Sequence, residues 1–289
     1  MRDPEPRFSI SQISTLAQSF DEDVRTYADA GVDGIGIWEI KLPERDDAET
    51  VERVRASGLE VTNCVAAVPS ILPLTLMAGP EDPAERVDAF CGSLHRLSAF
   101  EPDAVAVLTG SPSGLEPDEA REQVVGGLRT IAGEAERAGV RVGLEPVNRV
   151  GGEDWTIVTS IPEAVELLED VGRPELGILF DVWHLWNTPS LLDDIEAHAD
   201  RLVGVHVSDW REPTRGWADR VLPGDGVADV PAILGALDRT DWNGPYDFEI
   251  FSDNGAFGNE YPDSLWNIPG EVVARRGRER FLECWSRRR

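Results

Sequence analysis

Lysine, histidine and cysteine are scarce in this chain of 289 residues, and acidic side chains outnumber basic ones by 54 to 27, which gives a formal net charge of −27. An acidic surface repels a phosphate backbone, so nucleic acid is not an expected partner. The acidity itself indicates a well-solvated surface and points to no particular function. Lys41 is the single lysine, since every other basic side chain is arginine.

Few cysteines and the lack of long apolar runs limit the cellular setting. Cys64, Cys91 and Cys284 are odd in number and widely spaced, which suits neither a disulfide framework nor a redox or zinc motif. No run approaches the roughly 18 apolar residues that a membrane span needs, and the first residues contain no apolar signal core. We therefore expect a cytoplasmic protein with no membrane association.

Short apolar runs alternate with longer helical patterns along the whole chain. Runs that are apolar at nearly every position are typical of strands buried on both faces. The helical patterns end in turn-forming pairs such as Ala30-Gly31 and Ala138-Gly139. The eight expected strands are Phe8 to Gln12, Gly34 to Trp38, Leu59 to Ala66, Ala104 to Thr109, Val140 to Val147, Leu176 to Asp181, Leu202 to Val207, and Tyr246 to Phe251.

Eight repeats of strand and helix predict an α/β fold, a (β/α)8 TIM barrel that spans residues 1–289 as a single domain. A doubly wound open sheet is the rival, but no glycine-rich dinucleotide motif follows the first strand. Two stretches, Asp209 to Val227 and Asp253 to Pro269, lack helical periodicity. They predict long functional loops after strands seven and eight.

Strands five to eight each carry one side chain of a metal-ligand type near the C-terminal end: Glu145, Asp181, His206 and Glu249. In a (β/α)8 barrel these strand ends face the active site, so the four side chains are expected to converge. Each is flanked by apolar residues, which makes four independent solvated charges a poor explanation. Two glutamates, one aspartate and one histidine suit one divalent cation such as Mn²⁺, Mg²⁺, Co²⁺ or Zn²⁺.

Short motifs surround these residues. They are Leu144-Glu145-Pro-Val-Asn148-Arg149, Phe180-Asp181-Val-Trp-His184, Val205-His206-Val-Ser-Asp209, Pro223-Gly-Asp-Gly226 and Phe248-Glu249. Together they resemble the sugar phosphate isomerase/epimerase superfamily, the xylose-isomerase-like TIM barrels. The resemblance follows the order of the chain and extends over nearly all of it. It is specific for fold and metal site, and much less so for substrate.

In the ketose 3-epimerase branch, the resemblance implies that Glu145, Asp181, His206 and Glu249 bind one metal ion, commonly Mn²⁺. It also implies that the two glutamates lie on opposite faces of the substrate and transfer protons at the carbon next to a carbonyl. The metal then stabilises the developing enediolate while one carboxylate removes a proton and the other returns one. The leading hypothesis is a metal-dependent isomerase or epimerase of a sugar, polyol or keto-sugar.

Further side chains are candidates for substrate binding. His184 and Arg220 match positions that hold substrate oxygens in that branch. The alternative role for His184 is to orient Asp181 from the core, and the equal alternative for Arg220 is a position on the surface. Glu39 and Lys41 follow the second strand, at the expected rim of the active site. We expect one of these two to contact the substrate.

Tryptophans are concentrated in the loops after strands five, six and seven. They predict a flat apolar wall against which a sugar ring or an aryl group could lie, with Trp183 as a substrate contact. The alternative is ordinary packing of the loops onto the barrel. The residues concerned are Trp155, Trp183, Trp186, Trp210 and Trp217.

One position departs from the ketose 3-epimerase pattern. Gly151 stands where those enzymes have an acidic residue that contacts the substrate. A lyase on the same scaffold is therefore the alternative function, acting by β-elimination on 3-oxo-glycosides or by dehydrating an inosose. A non-catalytic sugar-binding protein is the remote alternative, and it requires a broken metal site.

The expected partner is a small-molecule sugar. The chain shows no cluster of basic residues and no glycine-rich phosphate loop, which favours an unphosphorylated substrate. A homo-oligomer is compatible with the sequence, as is a second subunit of the kind found in some deglycosidases similar to this family.

Overall fold

Eight strands pair in parallel and close into a barrel, in the order in which they follow one another along the chain. The computed structural model describes residues 5–43, 47–74, 77–112, 114–150 and 155–289. The closed parallel barrel confirms the predicted (β/α)8 fold. Its strands are β1 (Phe8–Ser11), β2 (Gly34–Trp38), β3 (Glu60–Ser70), β4 (Ala104–Leu108), β5 (Val142–Leu144), β6 (Leu176–Asp181), β7 (Leu202–Val207) and, after the short strands β8 (Asp209–Trp210) and β9 (Arg220–Val221), β10 (Tyr246–Phe248).

Helices alternate with these strands, and their buried faces pack with the strands in one large apolar core. None of the helices within the described ranges has the length and apolar character that a membrane crossing requires. The helices are α1 (Phe20–Asp29), α2 (Asp47–Ser57), α3 (Pro83–Leu97), α4 (Pro117–Ala138), α5 (Ile161–Val171), α6 (Val182–Leu185), α7 (Leu191–His198), α8 (Val230–Asp238) and α9 (Gly270–Ser286).

The ends of the helices follow from local side-chain chemistry. Before α1, the Ser19 hydroxyl accepts the N–H of Glu22, and the Glu22 carboxylate accepts the N–H of Ser19 at 2.8 Å, which completes a capping box. Helix α4 begins with Pro117 in its first turn and ends at Gly139, whose φ of 70° is the left-handed conformation that glycine adopts readily. The end of α4 agrees with the Ala138-Gly139 pair expected from the sequence.

A layer of polar side chains forms the floor of the barrel interior. Asp247 lies two residues before Glu249 and therefore points to the same face of its strand, one layer deeper. Its carboxylate accepts hydrogen bonds from Thr62 Oγ1 and Asn63 Nδ2, both at 2.7 Å, and from the Ser9 hydroxyl. These bonds join β1, β3 and β10 across the interior, so the floor is fixed from three strands.

The loop between β7 and α8 is more regular than its sequence predicts. Strands β8 and β9 pair antiparallel, and the Asp209 carboxylate accepts the N–H groups of Gly224, Gly226 and Ala228 at 2.8 to 3.0 Å. Gly224 has a φ of +80°, and a Cβ on Gly226 would lie 2.4 Å from Asp209 Oδ1. The two glycines are therefore required for the turn, which holds Arg220 of β9 over the barrel.

Candidate metal centre

Four side chains meet at the C-terminal end of the barrel. Asp181 ends β6 and pairs in register with His206 of β7. Glu145 and Glu249 directly follow β5 and β10, and their N–H groups donate to carbonyl oxygens of the neighbouring strands at 3.0 and 3.2 Å. The strand pairing thus continues to the residue that carries each glutamate. One ligand atom from each of the four residues lies within 4.8 Å of the other three, and all four residues are buried.

The donor set fits a divalent cation. Nδ1 of His206 is buried without a hydrogen-bond partner, and it faces Glu145 Oε1 at 3.6 Å and Glu249 Oε2 at 3.3 Å. A nitrogen directed between carboxylate oxygens is the arrangement that a shared cation would complete. Three carboxylates and one imidazole match the ligand preferences of Mn²⁺, Mg²⁺, Co²⁺ and Zn²⁺. A cation would also relieve the repulsion among three buried carboxylates.

Burial and mutual charge set the protonation of this cluster. Burial raises the pKa of Glu145 to about 7 and also raises the pKa of Asp181. In Glu249 the effect of burial is outweighed by the charge of His206, so the pKa falls to about 2. Burial lowers the pKa of His206, but Glu249 and then Glu145 outweigh it, and the pKa lies well above its ordinary value. A cation held by these four residues would therefore displace protons from the cluster.

Arg220 is a buried part of the same site. Its Nη1 donates to Asp181 Oδ2 at 2.8 Å and to Glu249 Oε2 at 3.2 Å, and its side chain is only 4% exposed. The guanidinium carbon lies 4.8 Å from the ring centres of both Trp183 and Phe251. Two aromatic faces thus hold the guanidinium beside the carboxylates. Arg220 is therefore a residue of the site, and the surface position considered from the sequence is excluded.

His184 lies on the cavity wall beside this arginine. Its Nδ1 accepts the backbone N–H of Asn148 at 3.2 Å, while its Nε2 lies 3.8 Å from Asp181 Oδ2 and 3.4 Å from Arg220 Nη2. Burial, followed by the charge of Arg220, holds the pKa of His184 well below its ordinary value. A neutral imidazole that accepts at Nδ1 carries its proton on Nε2. His184 can therefore donate to an oxygen in the cavity while it adjoins Asp181.

Trp183 and Glu39 do not reach the cavity. Trp183 is fully buried, and its ring supports the guanidinium of Arg220 from behind. The Oε2 of Glu39 accepts the N–H of Ala67 at 2.8 Å, which ties the turn after β2 to β3. The cavity lining includes Ala67, which Glu39 holds, and Arg220, which Trp183 supports. Glu39 and Trp183 themselves are not among the lining residues. Their placement thus differs from the direct substrate contact expected from the sequence.

Lys41 also points away from the cavity. Its Nζ lies 2.6 Å from Asp23 Oδ2, with the two side chains 6% and 0% exposed, and it donates to the backbone oxygens of Gln12 and Thr15 at 3.1 and 2.9 Å. Three partners inside the protein satisfy the three donors of the ammonium group. This geometry corrects the substrate contact expected for Lys41. The side chain instead joins α1 to the turns after β1 and β2.

A cavity of about 320 Å³ opens onto the cluster. Its wall includes apolar residues that sequence analysis did not identify, contributed mainly by β2, β3, β4 and the segment after β3. The signal for them was the apolar run that continues past Ala66, beyond the expected end of the third strand. Gly151, the position that departs from the ketose 3-epimerase pattern, lies outside the described residues. The apolar wall residues include Trp38, Val65, Ala67, Leu74, Met77, Ala106 and Leu108.

Residues 24–284 match the family described as xylose isomerase-like TIM barrel. The chain belongs to this family. Similar curated proteins include an inosose isomerase of Halalkalibacterium halodurans, 27% identical over 58% of this chain and 60% of that protein. A ketose 3-epimerase of Arthrobacter globiformis is 32% identical over 56% of this chain and 49% of its own length. A 3-dehydroshikimate dehydratase of Pseudomonas putida is 24% identical over 85% of this chain and 38% of its own length.

The matched part of this chain thus covers between about two fifths and three fifths of the length of each of these relatives. Solved structures match this chain over nearly its full length. Protein SMc04130 from Sinorhizobium meliloti 1021 has a TM-score of 0.84 at 25% identity, over 96% of this chain and 98% of that one. An IOLI protein with a bound zinc atom has a TM-score of 0.80 at 19% identity, over 97% and 98% of the two chains, and this likeness shows the fold alone.

Proposed function

We propose that this member of the family is a divalent-metal-dependent isomerase or epimerase of a sugar, polyol or keto-sugar. It would act by proton transfer at the carbon next to a carbonyl. The observation that carries the proposal is the approach of both Glu145 and Glu249 to His206, at 3.6 and 3.3 Å from its Nδ1. Both carboxylates also line the cavity, so both have access to a bound substrate.

The four residues of the cluster divide into two roles in this proposal. Asp181 has no exposed surface, and its two carboxylate oxygens are directed to the N–H of Trp183 and to Arg220, so it serves only to hold the metal. Glu145 and Glu249 hold the metal and also move the proton. The cation, with Mn²⁺ as the expected ion, would polarise the substrate carbonyl and stabilise the negative charge that develops on its oxygen.

Arg220 and His184 would hold substrate oxygens beside the reacting carbon. The Nη1 of Arg220 is used by carboxylates of the cluster, while its Nη2 lies beside His184 Nε2, at 3.4 Å. These two groups face the same end of the cavity. They are positioned to fix the orientation of a hydroxyketone, which is a large part of what such a reaction requires.

Hydrogen exchange with solvent tests the proposal. Protein stripped by a chelator and reloaded with Mn²⁺, Mg²⁺, Co²⁺ or Zn²⁺ is incubated in deuterated water with ketoses, inososes and 3-oxo-glycosides, and the products are followed by NMR. We expect deuterium at the carbon next to the carbonyl. Glu145→Gln and Glu249→Gln should each reduce the exchange rate at least about 100-fold, because a positioned base is worth roughly that much.

The matched control is Glu119→Gln, on the exposed face of α4, which should leave exchange unchanged. Metal analysis of each variant separates loss of the ion from loss of proton transfer. Turnover with complete retention of the original hydrogen would contradict a two-carboxylate exchange.

A lyase that starts from the same proton removal is the second candidate. The observation in its favour is that the dehydratase relative aligns with 85% of this chain, more than the inosose isomerase or the ketose 3-epimerase does. An elimination differs from an epimerisation only in that a leaving group departs after the proton is removed. Release of water or an aglycone with no epimer formed would select the lyase. A non-catalytic sugar-binding protein requires a broken cluster, whereas all four side chains come together here.

A further inference from the structure

The cavity has a polar end and an extensive apolar wall. Of the 20 described residues that line it, 15 are apolar and five are polar. The polar ones are Glu145, His184, His206, Arg220 and Glu249, and each belongs to the metal cluster or touches it. Polar recognition by the described lining residues is therefore confined to one end of the cavity.

Three neighbouring strands, β2, β3 and β4, contribute part of the apolar wall. Trp38 ends β2, Val65 and Ala67 lie on β3, and Ala106 and Leu108 lie on β4. The C-terminal ends of barrel strands are the positions that face a substrate in this fold. On this side of the mouth the described strand residues present hydrocarbon to the cavity, whereas the strands on the other side present carboxylates and imidazole.

Two of the three tryptophans that line the described part of the cavity use their ring N–H within the protein. Nε1 of Trp38 donates to Ser11 Oγ at 2.8 Å, and Nε1 of Trp155 donates to the backbone oxygen of Asn148. A group that lies against either ring therefore meets ring carbons and finds no free N–H donor. The two rings act as apolar surface only.

The segment that completes the wall is anchored from behind. Arg86 is 1% exposed, and it donates from Nε to the Ser70 backbone oxygen at 3.0 Å and from Nη1 to the Pro80 backbone oxygen at 2.9 Å. These bonds hold both ends of the stretch that contributes Leu74 and Met77 to the cavity. The backbone on both sides of Leu74 and Met77 is thus joined to α3.

Exposed apolar side chains continue the wall at the mouth of the cavity. Ile40 is 52% exposed and Phe257 is 37% exposed, and both line the opening. They are two of the four large apolar side chains that are exposed among the described residues. A ligand that reaches the mouth with an apolar group would cover them.

We infer that the substrate joins a hydroxyketone head to an aryl group, with the head at the metal end and the ring against the apolar wall. A free sugar would bury hydroxyl groups against hydrocarbon without partners, which is unfavourable. An aryl ring instead gains edge and face contacts with the aromatic side chains. The volume of about 320 Å³ lies within the range of roughly 300 to 1,000 Å³ typical of pockets for drug-sized ligands. The inference rests on the proposed function for the head and adds the substituent.

Two ketones with the same head test this inference. Isothermal titration calorimetry on the metal-loaded protein compares 2-hydroxyacetophenone, which carries a phenyl group, with hydroxyacetone, which carries a methyl group. We expect the phenyl ketone to bind about 10 to 100 times more tightly, from the apolar area that the ring buries. Equal affinities, or tighter binding of a free ketose such as fructose, would overturn the inference.

Variants of the wall locate the binding site. Val65→Thr keeps the shape and Leu108→Asn adds an amide, and both should reduce the phenyl preference at least about threefold while leaving hydroxyacetone binding unchanged. Val165→Thr, in the core on α5 and away from the cavity, is the matched control and should keep the preference. Circular dichroism and metal content check that each variant is folded and loaded. A preference that survives both wall variants places the ring elsewhere and overturns the inference.

The binding experiment is separable from the exchange experiment. A phenyl preference that depends on the wall supports the aryl substituent even if no substrate exchanges hydrogen with solvent, in which case the proposed chemistry fails alone. Rapid exchange on free ketoses combined with equal affinity for the two ketones supports the chemistry and overturns the substituent.

Discussion

Lys41 and Asp23 form a buried ion pair behind the mouth of the barrel. Burial raises the pKa of Asp23 to about 6, against the opposing charge of Lys41, and burial lowers the pKa of Lys41 itself. The Thr15 hydroxyl and the Gln12 amide also donate to the carboxylate, at 2.6 and 3.0 Å. Removing two charges from water costs free energy that their attraction offsets only in part. The pair is therefore stabilising mainly in comparison with a state in which one partner is missing.

Replacement of the lysine alone should expose that cost. We predict that Lys41→Met lowers the free energy of unfolding by about 3 kcal/mol near neutral pH, because it leaves a buried carboxylate without its cation. A carboxyl group whose folded-state pKa is raised contributes stability at low pH that is lost as the pH rises through that pKa. Without Lys41 the pKa of Asp23 rises further. The loss of unfolding free energy should therefore become smaller as the pH is lowered from about 8 to about 5. Urea unfolding at several pH values measures it.

The double variant Asp23→Asn/Lys41→Met separates the ion pair from simple packing. It should regain most of the lost stability, because no buried charge remains unpaired. Arg25→Met, on the exposed face of the same helix, is the matched control and should change little. Equal destabilisation by the single and the double variant would contradict the ion-pair account. Turnover by the folded, metal-loaded variant should persist, because Lys41 does not line the cavity.

At the scale of strands, the sequence is sufficient to bring Glu145, Asp181, His206 and Glu249 together. Parallel pairing aligns the strand ends, and β6 and β7 have the bounds expected from their apolar runs. β5 and β10 end earlier than expected, yet the backbone bonds of the two glutamates preserve the side-chain direction. The direction of Lys41 was not predictable, because its partner Asp23 belongs to a helix that precedes β2 in the chain.

The part of the apolar wall that β2 to β4 and the segment after β3 contribute was not predictable, for a different reason. It depends on how far β3 continues and on the shift in register between β3 and β4 after Val65, where the next aligned pair is Ser70 with Leu108. It also depends on Arg86, which anchors the following segment from α3. An apolar run in sequence shows that residues are buried, but it does not show that they are buried against a cavity rather than against a helix.

The loop between β7 and α8 depends on one carboxylate. We predict that Asp209→Ala lowers the free energy of unfolding by about 3 kcal/mol, because it leaves several backbone N–H groups without an acceptor. The same variant should weaken ligand binding, since this loop holds Arg220 over the cluster. Thermal unfolding gives the stability, and amide hydrogen exchange of Gly224 and Gly226 shows whether the turn has opened.

Asp225→Ala is the matched control within the same loop. Asp225 pairs with Arg280 at 2.6 Å, but its side chain is partly exposed, and such surface pairs contribute at most about 1 kcal/mol. We expect this variant to retain the exchange protection of the turn. Similar losses in both variants would show that the loop responds to any lost charge and not to the acceptor role of Asp209.

Over the whole molecule, the barrel mouth divides into two halves with different chemistry. The strands from β5 to β10 bring carboxylates and an imidazole to the mouth, while β2 to β4 bring apolar side chains. Beneath both halves, Asp247 joins β1, β3 and β10 through hydrogen bonds. The two halves thus share one fixed floor, so a change of substrate preference through the apolar half need not disturb the metal half.

The charge of the whole chain leads to a prediction about salt. With 54 acidic and 27 basic side chains, repulsion among carboxylates opposes the compact state. Raising sodium chloride from about 0.02 to 0.5 M shortens the screening length from about 20 Å to about 4 Å, which weakens that repulsion. Salt also weakens the exposed arginine–carboxylate pairs, but each contributes little. We therefore expect the unfolding temperature of the metal-free protein to rise with salt, as measured by calorimetry.

Two comparisons separate screening from other effects of salt. Choline chloride should act like sodium chloride, because screening depends on ionic strength and not on a cation small enough to enter the carboxylate cluster. Sucrose at equal osmolality should produce a smaller rise than salt does, since it leaves the charges unscreened. If the unfolding temperature instead falls as salt is added, the surface ion pairs outweigh the excess of 27 negative charges in setting the stability of this protein.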